Sequence, residues 1–377
     1  MTMQFAHWRN FDWLYLLVAL ILVAIGIVMI YSAYEASMPQ DDRPLRENAV
    51  FRQGVFALIG LAAYGLAATL DYHALVKRYR WGYLLGMSLL IVTIIIGDAS
   101  FGAQSWIRFE SFDVQVSELC KVIVILVTAY LLSGEHLSLE GPLPLFLSLA
   151  LLAPLAALIY LQPDFGTALI VVTIWAGMVA LSGVRWQHLL LLGLIAAAVA
   201  PVIWFRLEDY MHQRILMFLY PESDPTGASY NINQALISIG SGGWWGKGWL
   251  NGTQSQLYFL RVRHTDFIFS VLAEEFGFIG SALFLLLFLF LILRTVHIAL
   301  QAPDAAGRLI ASGVAVMLAV QTVINVGMNA NILPVTGLPL PLVSYGGNSL
   351  TTTLLALGLV QGVAMRRKSP EPPIIPL

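Results

Sequence analysis

The densest group of ionisable side chains is the segment Arg261-Val-Arg-His-Thr-Asp266, which directly precedes the apolar run Phe267-Ile-Phe-Ser-Val-Leu. A carboxylate at the mouth of an apolar helix is partly removed from water, which raises its pKa and suits it to act as a general base. An Asp before a helix is also a common N-cap, and both roles stay open for Asp266. The neighbouring Arg261, Arg263 and His264 are suited to bind an anionic lipid headgroup.

A second ionisable pair, Glu118 and Lys121, lies within an apolar run, three residues apart and therefore on one face of a helix. Ionisable residues inside a membrane span usually face a cavity and mark function. The alternative is an internal ion pair that holds two helices together. For the adjacent Glu274 and Glu275 we expect helix packing or loop anchoring.

Two glycine- or proline-rich segments have backbones that could contact a substrate. Residues 240–248 read Gly-Ser-Gly-Gly-Trp-Trp-Gly-Lys-Gly, which fails the phosphate-loop pattern at Ser241 and Gly248. This segment is either a tight turn at the membrane surface or a contact to substrate phosphate through backbone N–H groups. Residues 334–341, followed by Ser344-Tyr-Gly-Gly347, are either non-helical backbone lining a cavity or a rigid external turn.

The composition indicates which kind of structural element positions these residues. The chain of 377 residues is 58% hydrophobic and 11% charged, whereas soluble domains carry about 25% charged residues. The sequence predicts an all-α integral membrane protein that forms a single polytopic domain. Its expected spans are 12–34, 54–70, 81–97, 116–133, 145–161, 167–181, 188–206, 267–294, 309–329 and 348–365.

The distribution of Lys and Arg predicts that both termini are cytoplasmic. In this orientation the inner segments carry Arg9, Lys77, Arg78, Arg80, Arg185, Arg294, Arg308, Arg366, Arg367 and Lys368, against Arg43, Arg46, Arg52 and Arg108 in the short outer loops. The segments 101–115, 162–166, 207–266 and 331–347 then face outwards. We expect interfacial or re-entrant helices over a cavity in the long outer loop 207–266 and disorder in the tail 369–377.

Several classes of site and partner are disfavoured. The single cysteine, Cys120, excludes an internal disulfide and a multi-cysteine metal cage. The seven histidines are scattered, so no protein metal site is expected, and the absence of a basic stripe argues against nucleic acid as a partner.

Eight sequence blocks, spread over most of the chain, resemble those of the SEDS family (shape, elongation, division and sporulation). The blocks are Gln162-Pro-Asp-Phe-Gly-Thr-Ala168, Tyr230-Asn-Ile-Asn-Gln-Ala-Leu-Ile237, Gly240-Ser-Gly-Gly243 with Gly246-Lys-Gly248, Gly252-Thr-Gln-Ser255, His264-Thr-Asp-Phe-Ile-Phe269, Ala273-Glu-Glu-Phe-Gly277, Leu333-Pro-Val-Thr-Gly-Leu-Pro-Leu-Pro341 and Ser344-Tyr-Gly-Gly347. The short tails favour the RodA-type elongation branch over the FtsW-type division branch.

The resemblance implies a peptidoglycan glycosyltransferase that polymerises lipid II into glycan strands by an inverting transfer, with Asp266 as general base. Cations must stabilise the leaving pyrophosphate. The candidates are Lys121, Arg214, Lys247, Arg261 and Arg263, or a divalent cation (Mg²⁺ or Mn²⁺) held mainly by the pyrophosphate itself. Glu118, Arg108, His264, Thr265 and Ser344 complete the predicted substrate-binding set.

The chain departs from the family pattern at three places. Ser105 stands where many relatives have Arg, Val116 replaces Pro, and Arg261-Val262 replaces Pro-Glu. The Ser105 change removes an expected phosphate contact, for which Arg108, Arg261 or Arg263 are possible replacements.

The expected partners are lipid II, the nascent glycan, a class B penicillin-binding protein that acts as transpeptidase, and other membrane proteins of the elongation complex. The expected location is the bacterial inner membrane, with the active site on the extracytoplasmic side. Two alternatives have other functions. A lipid II flippase requires a polar route across the whole bilayer, whereas a non-catalytic scaffold for the transpeptidase does not require Asp266 or the Glu118–Lys121 pair.

Overall fold

The structure is a computed structural model that describes residues 8–35, 48–100, 103–108, 113–134, 139, 141–205, 209–220 and 229–367. The predicted all-α class is confirmed. After a 3₁₀ turn at Trp8–Asn10, the helices are α1 (Trp13–Ile30), which continues as a π-helical turn (Tyr31–Glu35), α2 (Ala49–Thr69), α3 (Tyr72–Lys77), α4 (Tyr79–Ile96), α5 (Val116–Leu132), α6 (Leu143–Leu161), α7 (Phe165–Leu181), α8 (Trp186–Trp204), α9 (Asp209–Leu219), α10 (Tyr230–Gly242), α11 (Thr253–Gln256), α12 (Ile268–Leu300), α13 (Ala305–Asn329) and α14 (Gly347–Met365).

Each of the ten predicted spans coincides with a helix, although some boundaries differ. The second begins at Ala49 rather than 54, and the eighth extends to Leu300 rather than 294. Among the described residues, seven helices are long and apolar enough to cross a membrane, namely α1, α2, α4, α6, α12, α13 and α14. The remaining predicted spans are α5, α7 and α8, so the number of crossings, like the single domain, stays a prediction.

Helix α5 lies at the centre of the bundle. It packs against α4, α6, α7, α13 and α14, and most of its side chains are buried. Close helix contacts depend on small residues elsewhere in the bundle, as in other membrane proteins. A Cβ at Gly358 of α14 would lie 2.4 Å from the carbonyl oxygen of Tyr64 on α2.

The segments that are predicted to face outwards contain more regular structure than expected. Part of segment 101–115 forms a three-stranded antiparallel sheet with β1 (Asp98–Ser100), β2 (Ala103–Arg108) and β3 (Asp113–Gln115), where Trp106 pairs with Gln115. The long outer loop contains α9, α10 and α11, which confirms the predicted helices; the cavity below them stays a prediction. Residues 221–228 of this loop and the predicted disordered tail 369–377 lie outside the described residues.

The eighth predicted span is interrupted, which the sequence analysis did not anticipate. Gly277 has a φ of 67° and a ψ of −165°, so α12 consists of two helical segments joined by a kink. The glycine-rich loop after α10 docks against this kink. Phe278 N–H donates to the Gly243 carbonyl oxygen at 2.8 Å, and Gly248 N–H donates to the Glu275 carbonyl oxygen at 2.9 Å.

Glycine is required where the two backbones meet. A Cβ at Gly242 would lie 2.0 Å from the Ala273 carbonyl oxygen, and one at Gly246 would lie 2.1 Å from the Glu275 carbonyl oxygen. The N–H groups of residues 246–248 already donate to carbonyl oxygens, with Lys247 bonded to Glu274 at 3.0 Å. This contradicts the alternative in which these three N–H groups bind substrate phosphate, and it supports a structural turn.

We predict that Gly242→Ala destabilises the protein, whereas Gly240→Ala does not. The added methyl group at position 242 meets a backbone carbonyl, and such overpacking costs about 1–3 kcal/mol. Gly240 belongs to the same helix and has no heavy atom within 4 Å of an added Cβ, so Ala there should be neutral or stabilising by up to about 1 kcal/mol. Thermal unfolding of both variants in detergent measures the difference. Equal melting temperatures for the two variants would contradict the packing argument.

Candidate active site

Asp266 lies just before α12. From the sequence, its side chain could be either the N-cap of this helix or a general base. The N-cap residue of α12 is Phe267, and the side chain that accepts from a first-turn N–H group of this helix is that of Asn329, not that of Asp266. The capping alternative is therefore wrong. The Asp266 carboxylate is left for another role.

The backbone around Asp266 is held by side chains from distant elements. Asn329 on α13 donates to the Asp266 carbonyl oxygen at 2.9 Å, and Asn325 donates to the same oxygen at 3.2 Å. The Ser344 hydroxyl donates to the Thr265 carbonyl oxygen at 2.5 Å. The predicted Ser344 and Thr265 are thus joined to each other, and their hydrogen bond fixes the backbone next to Asp266.

The Asn329 amide and the Ser344 hydroxyl each donate one hydrogen bond and accept another in this arrangement. The Asn329 Oδ1 atom accepts from Ser270 N–H at 3.1 Å, and Asn325 also donates to the Leu338 carbonyl oxygen at 2.8 Å. The Ser344 Oγ atom accepts from Leu340 N–H at 2.9 Å. The sequence analysis did not include the two asparagines in the site, although their spacing of four residues on apolar α13 was a usable signal.

The carboxylate itself faces Arg214 of α9 and the proline-rich segment. A Cβ at Gly337 would lie 3.8 Å from Asp266 Oδ2 and 4.0 Å from Arg214 Nη1, so a side chain there would project between the two groups. Arg214 is fixed by a 3.0 Å hydrogen bond to the Thr336 carbonyl oxygen. Burial raises the pKa of Asp266 to about 6, while a hydrogen bond from Thr265 and the charge of Arg214 act in the opposite direction.

The segment opposite Asp266 is itself positioned by the block that contains Asp164 and Gly166. A Cβ at Gly166 would lie 2.8 Å from the Thr336 carbonyl oxygen, so this contact requires glycine. Asp164 caps α7 through Thr167 N–H and accepts from the Ser117 hydroxyl at 2.9 Å. Four of the recognised sequence blocks therefore converge on the surroundings of Asp266.

The Lys247 ammonium is bound by other side chains of the protein in this structure. Its ammonium lies 2.8 Å from Glu274 Oε1 and 2.8 Å from the Thr253 hydroxyl. Glu274 also accepts from Gln254 N–H at 3.1 Å. The predicted loop-anchoring role of Glu274 is confirmed, and Lys247 is its partner.

The two arginines before Asp266 have different surroundings. Arg263 is buried, donates through Nε to the Ala33 carbonyl oxygen and stacks over the Tyr258 ring at 4.3 Å. Its predicted contact with a lipid headgroup stays a prediction, although little of the side chain is exposed. Arg261 is exposed and lies 5.5 Å from the centre of the Tyr230 ring, so it stays a candidate for substrate binding.

His264 is packed between aromatic rings rather than held in solvent as a cation. Its ring lies 4.6 Å from that of Tyr34 and 5.5 Å from that of Tyr345. Burial, assisted by the charge of Arg263, lowers the pKa of His264 to about 4. The imidazole is therefore neutral at physiological pH, and its predicted contact with an anionic headgroup stays a prediction.

Glu118 and Lys121 form a buried ion pair within α5. Lys121 Nζ lies 2.7 Å from Glu118 Oε2, and the side chains are 1% and 2% exposed. The pair lies within one helix, so the alternative in which it bridges two helices is wrong, although an internal ion pair is confirmed. Contact of either side chain with substrate stays a prediction.

Two further expectations concern groups that the structure does not test. The side chain of Arg108 lies outside the described residues, so its substrate contact stays a prediction. Among the described side chains, no group of three or more His, Cys, Asp or Glu is arranged to hold a metal ion. A divalent cation held by the pyrophosphate of the substrate likewise stays a prediction.

We predict that Glu118 and Lys121 are energetically coupled. Removal of one partner leaves an unpaired charge in the bundle, which costs roughly 3–5 kcal/mol. Both Glu118→Gln and Lys121→Met should therefore lower the melting temperature, and the double variant should recover part of the loss. A double-mutant cycle measures this coupling, and simple addition of the two single losses would refute it.

Known proteins resemble this chain along most of its length. The chain is 40% identical to the peptidoglycan glycosyltransferase MrdB of Escherichia coli K12 over 320 residues, which cover 82% of this chain and 85% of MrdB. It is 37% identical to the probable peptidoglycan glycosyltransferase FtsW of Geobacter metallireducens over 371 residues, which cover 96% of both proteins.

Solved structures agree with these relatives. A chain from a peptidoglycan synthase complex, described as coordinating polymerization and crosslinking, matches with a TM-score of 0.80 and 33% identity, over 95% of this chain and 98% of that chain. The rod shape determining protein RodA of Thermus thermophilus matches with a TM-score of 0.70 and 32% identity, over 96% and 99% of the two chains. The family model described as cell cycle protein, FtsW/RodA/SpoVE, matches residues 12–369. The resemblance to the SEDS family is thereby confirmed, and the chain belongs to the FtsW/RodA/SpoVE family.

Proposed function

We propose that this membrane protein is a peptidoglycan glycosyltransferase that polymerises lipid II, with Asp266 as the general base. The observation that carries the proposal is the Asp266 carboxylate, which does not cap α12 and faces the Arg214 guanidinium across Gly337. Similarity to MrdB and FtsW supports the reaction class. A role in elongation rather than division stays a prediction from the sequence.

The proposed reaction joins an acceptor hydroxyl of lipid II to the anomeric carbon of the growing glycan. As the new C–O bond forms, the bond from that carbon to the pyrophosphate breaks on the opposite face, and the configuration inverts. The hydroxyl proton passes to the Asp266 carboxylate. The electron pair leaves with the pyrophosphate, whose negative charge requires a nearby cation. Arg214 is the cation that lies beside Asp266 in this arrangement.

The raised pKa of Asp266 supports this role. A carboxylate with a pKa of about 6 is a stronger base than an ordinary one and is still mostly deprotonated at neutral pH. Both properties are needed to take a proton from an alcohol. Arg214 contributes by keeping the pKa from rising further.

We place the protein in the bacterial inner membrane with both termini in the cytoplasm and Asp266 on the extracytoplasmic side. The excess of Lys and Arg in the segments that face the cytoplasm in this orientation supports it. A class B penicillin-binding protein is the proposed partner. Similarity to a chain from a peptidoglycan synthase complex supports a partner that cross-links the product.

We predict that Asp266→Asn lowers the rate of lipid II polymerisation by about 10²–10⁴-fold, the usual contribution of a general base. The protein should still fold, because the amide is isosteric and the side chain caps no helix. Purified variants are assayed for glycan strands, alone and with a class B penicillin-binding protein. Asp209→Asn, at an exposed position on α9, is the matched control and should keep full activity.

The pH dependence of the wild-type rate tests the same assignment. A base works only when deprotonated, so the rate should rise with pH through about 6, the pKa of Asp266. Near-normal activity of Asp266→Asn would rule out the general base. A rate independent of pH between 5 and 7 would speak against the proposed pKa.

We further predict that the protein does not move lipid II across the membrane. The Glu118–Lys121 pair of α5 and Glu274 of α12, which is paired with Lys247 of the loop after α10, lie near the proposed outer ends of their helices. Transport of a charged pyrophosphate sugar requires polar groups at every depth. The test uses proteoliposomes with lipid II confined to the leaflet on the cytoplasmic side of the protein. Protein-dependent appearance of lipid II in the other leaflet would refute the prediction.

A further inference from the structure

The first span ends in an unusual turn that contacts the loop carrying Asp266. Residues Tyr31–Glu35 form a π-helical turn at the end of α1. Such turns are rare and are frequent at functional sites. Ser32 and Ala33 of this turn are fully buried, although they follow the last apolar turn of the span.

The carbonyl oxygens of the turn are acceptors for the loop. Gln256 Nε2 donates to the Ser32 carbonyl oxygen at 3.0 Å, and Arg263 Nε donates to the Ala33 carbonyl oxygen. The last four carbonyls of a helix lack partners within that helix. A cationic donor is favoured there because the C-terminal end of a helix carries partial negative charge. The end of α1 therefore fixes the loop at two positions.

A third contact lies closest to Asp266. The Tyr34 ring packs at 4.6 Å on the His264 ring, whose centre also lies 5.5 Å from that of the Tyr345 ring. The His264 carbonyl oxygen accepts from Tyr345 N–H at 2.9 Å. His264 is thus held between the end of α1 and the segment before α14, two residues from the carboxylate.

We propose that Tyr34 is a positioning residue for Asp266, which acts by packing on His264 and so fixing the segment His264–Asp266 from the side of α1. The proposal rests on the function proposed above. Hydrogen bonds from α13 and Ser344 hold the carbonyl oxygens of Thr265 and Asp266. Those bonds fix the backbone, and the Tyr34 ring covers part of the His264 ring and so limits movement of the segment and access of water to it.

The effect on catalysis follows from the exclusion of water by the Tyr34 ring. Loss of its ring frees His264 to move and admits water next to the segment that carries Asp266. A better hydrated carboxylate has a lower pKa and is a weaker base. Arg214 faces the carboxylate in the wild type and in the variant alike, so the expected lowering of the pKa comes from hydration and not from a new charge. Binding of substrate by groups elsewhere is not altered, so the turnover number should fall while KM stays nearly constant.

The experiment compares Tyr34→Ala, Tyr34→Phe and Tyr31→Ala in the full-length protein, with glycan polymerisation measured from pH 5 to 8. Tyr34→Phe keeps the ring. Tyr31 belongs to the same turn, but its ring faces Trp249 at 6.1 Å rather than His264. For Tyr34→Ala we expect a turnover number about tenfold lower, in line with the loss of an aromatic pair. We also expect the acidic limb of its rate profile to move to lower pH by about one unit. Both other variants should stay within about twofold of the wild type.

The outcomes separate this proposal from the proposed function. Unchanged turnover and an unchanged acidic limb in Tyr34→Ala, with Asp266→Asn inactive, overturn only the positioning role. An active Asp266→Asn overturns the general base instead. Equal loss in Tyr34→Phe and Tyr34→Ala also overturns the proposal, because the ring would then not be the acting group. If Tyr34→Ala does not fold, Tyr34→Leu replaces it in the comparison with Tyr34→Phe, and the lower turnover number and the moved acidic limb should again be confined to the variant without the ring.

Discussion

The structure depends on one constraint, which is that a non-helical backbone within a membrane protein must find hydrogen-bond partners from other elements. The segment His264–Asp266 precedes α12 and has three consecutive carbonyl oxygens to satisfy. Tyr345 N–H, the Ser344 hydroxyl and the Asn329 amide each donate to one of them. These donors come from α13 and the segment before α14, so the fold of the last quarter of the chain determines where Asp266 lies.

The same constraint explains the glycine-rich blocks. The kink at Gly277 leaves backbone groups of α12 without their usual helical partners, and the loop after α10 supplies them. Approach of two backbones to hydrogen-bonding distance leaves no room for a Cβ at Gly242 or Gly246. The glycine-rich sequence after α10, which suggests phosphate binding, is therefore explained by its backbone hydrogen bonds to the kink in α12.

These cases show how far the sequence could predict the structure. The ten helices were predictable because apolar length and polar turns are local properties. The role of Asp266 was not, since an Asp before a helix satisfies the local rules for a cap, and only the distant Asn329 and Arg214 determine what its backbone and carboxylate contact. The surroundings of Arg263 were not predictable for the same reason, because its partner Ala33 lies 230 residues away in sequence. The sheet at Asp98–Gln115 was missed because its strands have only three to six residues, too few for a periodic signal.

The distribution of charge follows from the low dielectric of the bundle, in which an unpaired charge is costly. Lys121 is paired with Glu118, and Lys247 with Glu274. Arg263 donates to a carbonyl oxygen in the turn at the end of α1 and stacks over an aromatic ring. These cations stabilise the architecture that surrounds the site. Arg214 binds the Thr336 carbonyl oxygen and faces the Asp266 carboxylate. Burial has the larger influence on the pKa of Asp266 and raises it, whereas the charge of Arg214 has a smaller influence in the opposite direction. This balance suits the proposed roles of Asp266 as a base and of Arg214 as a cation for the leaving group.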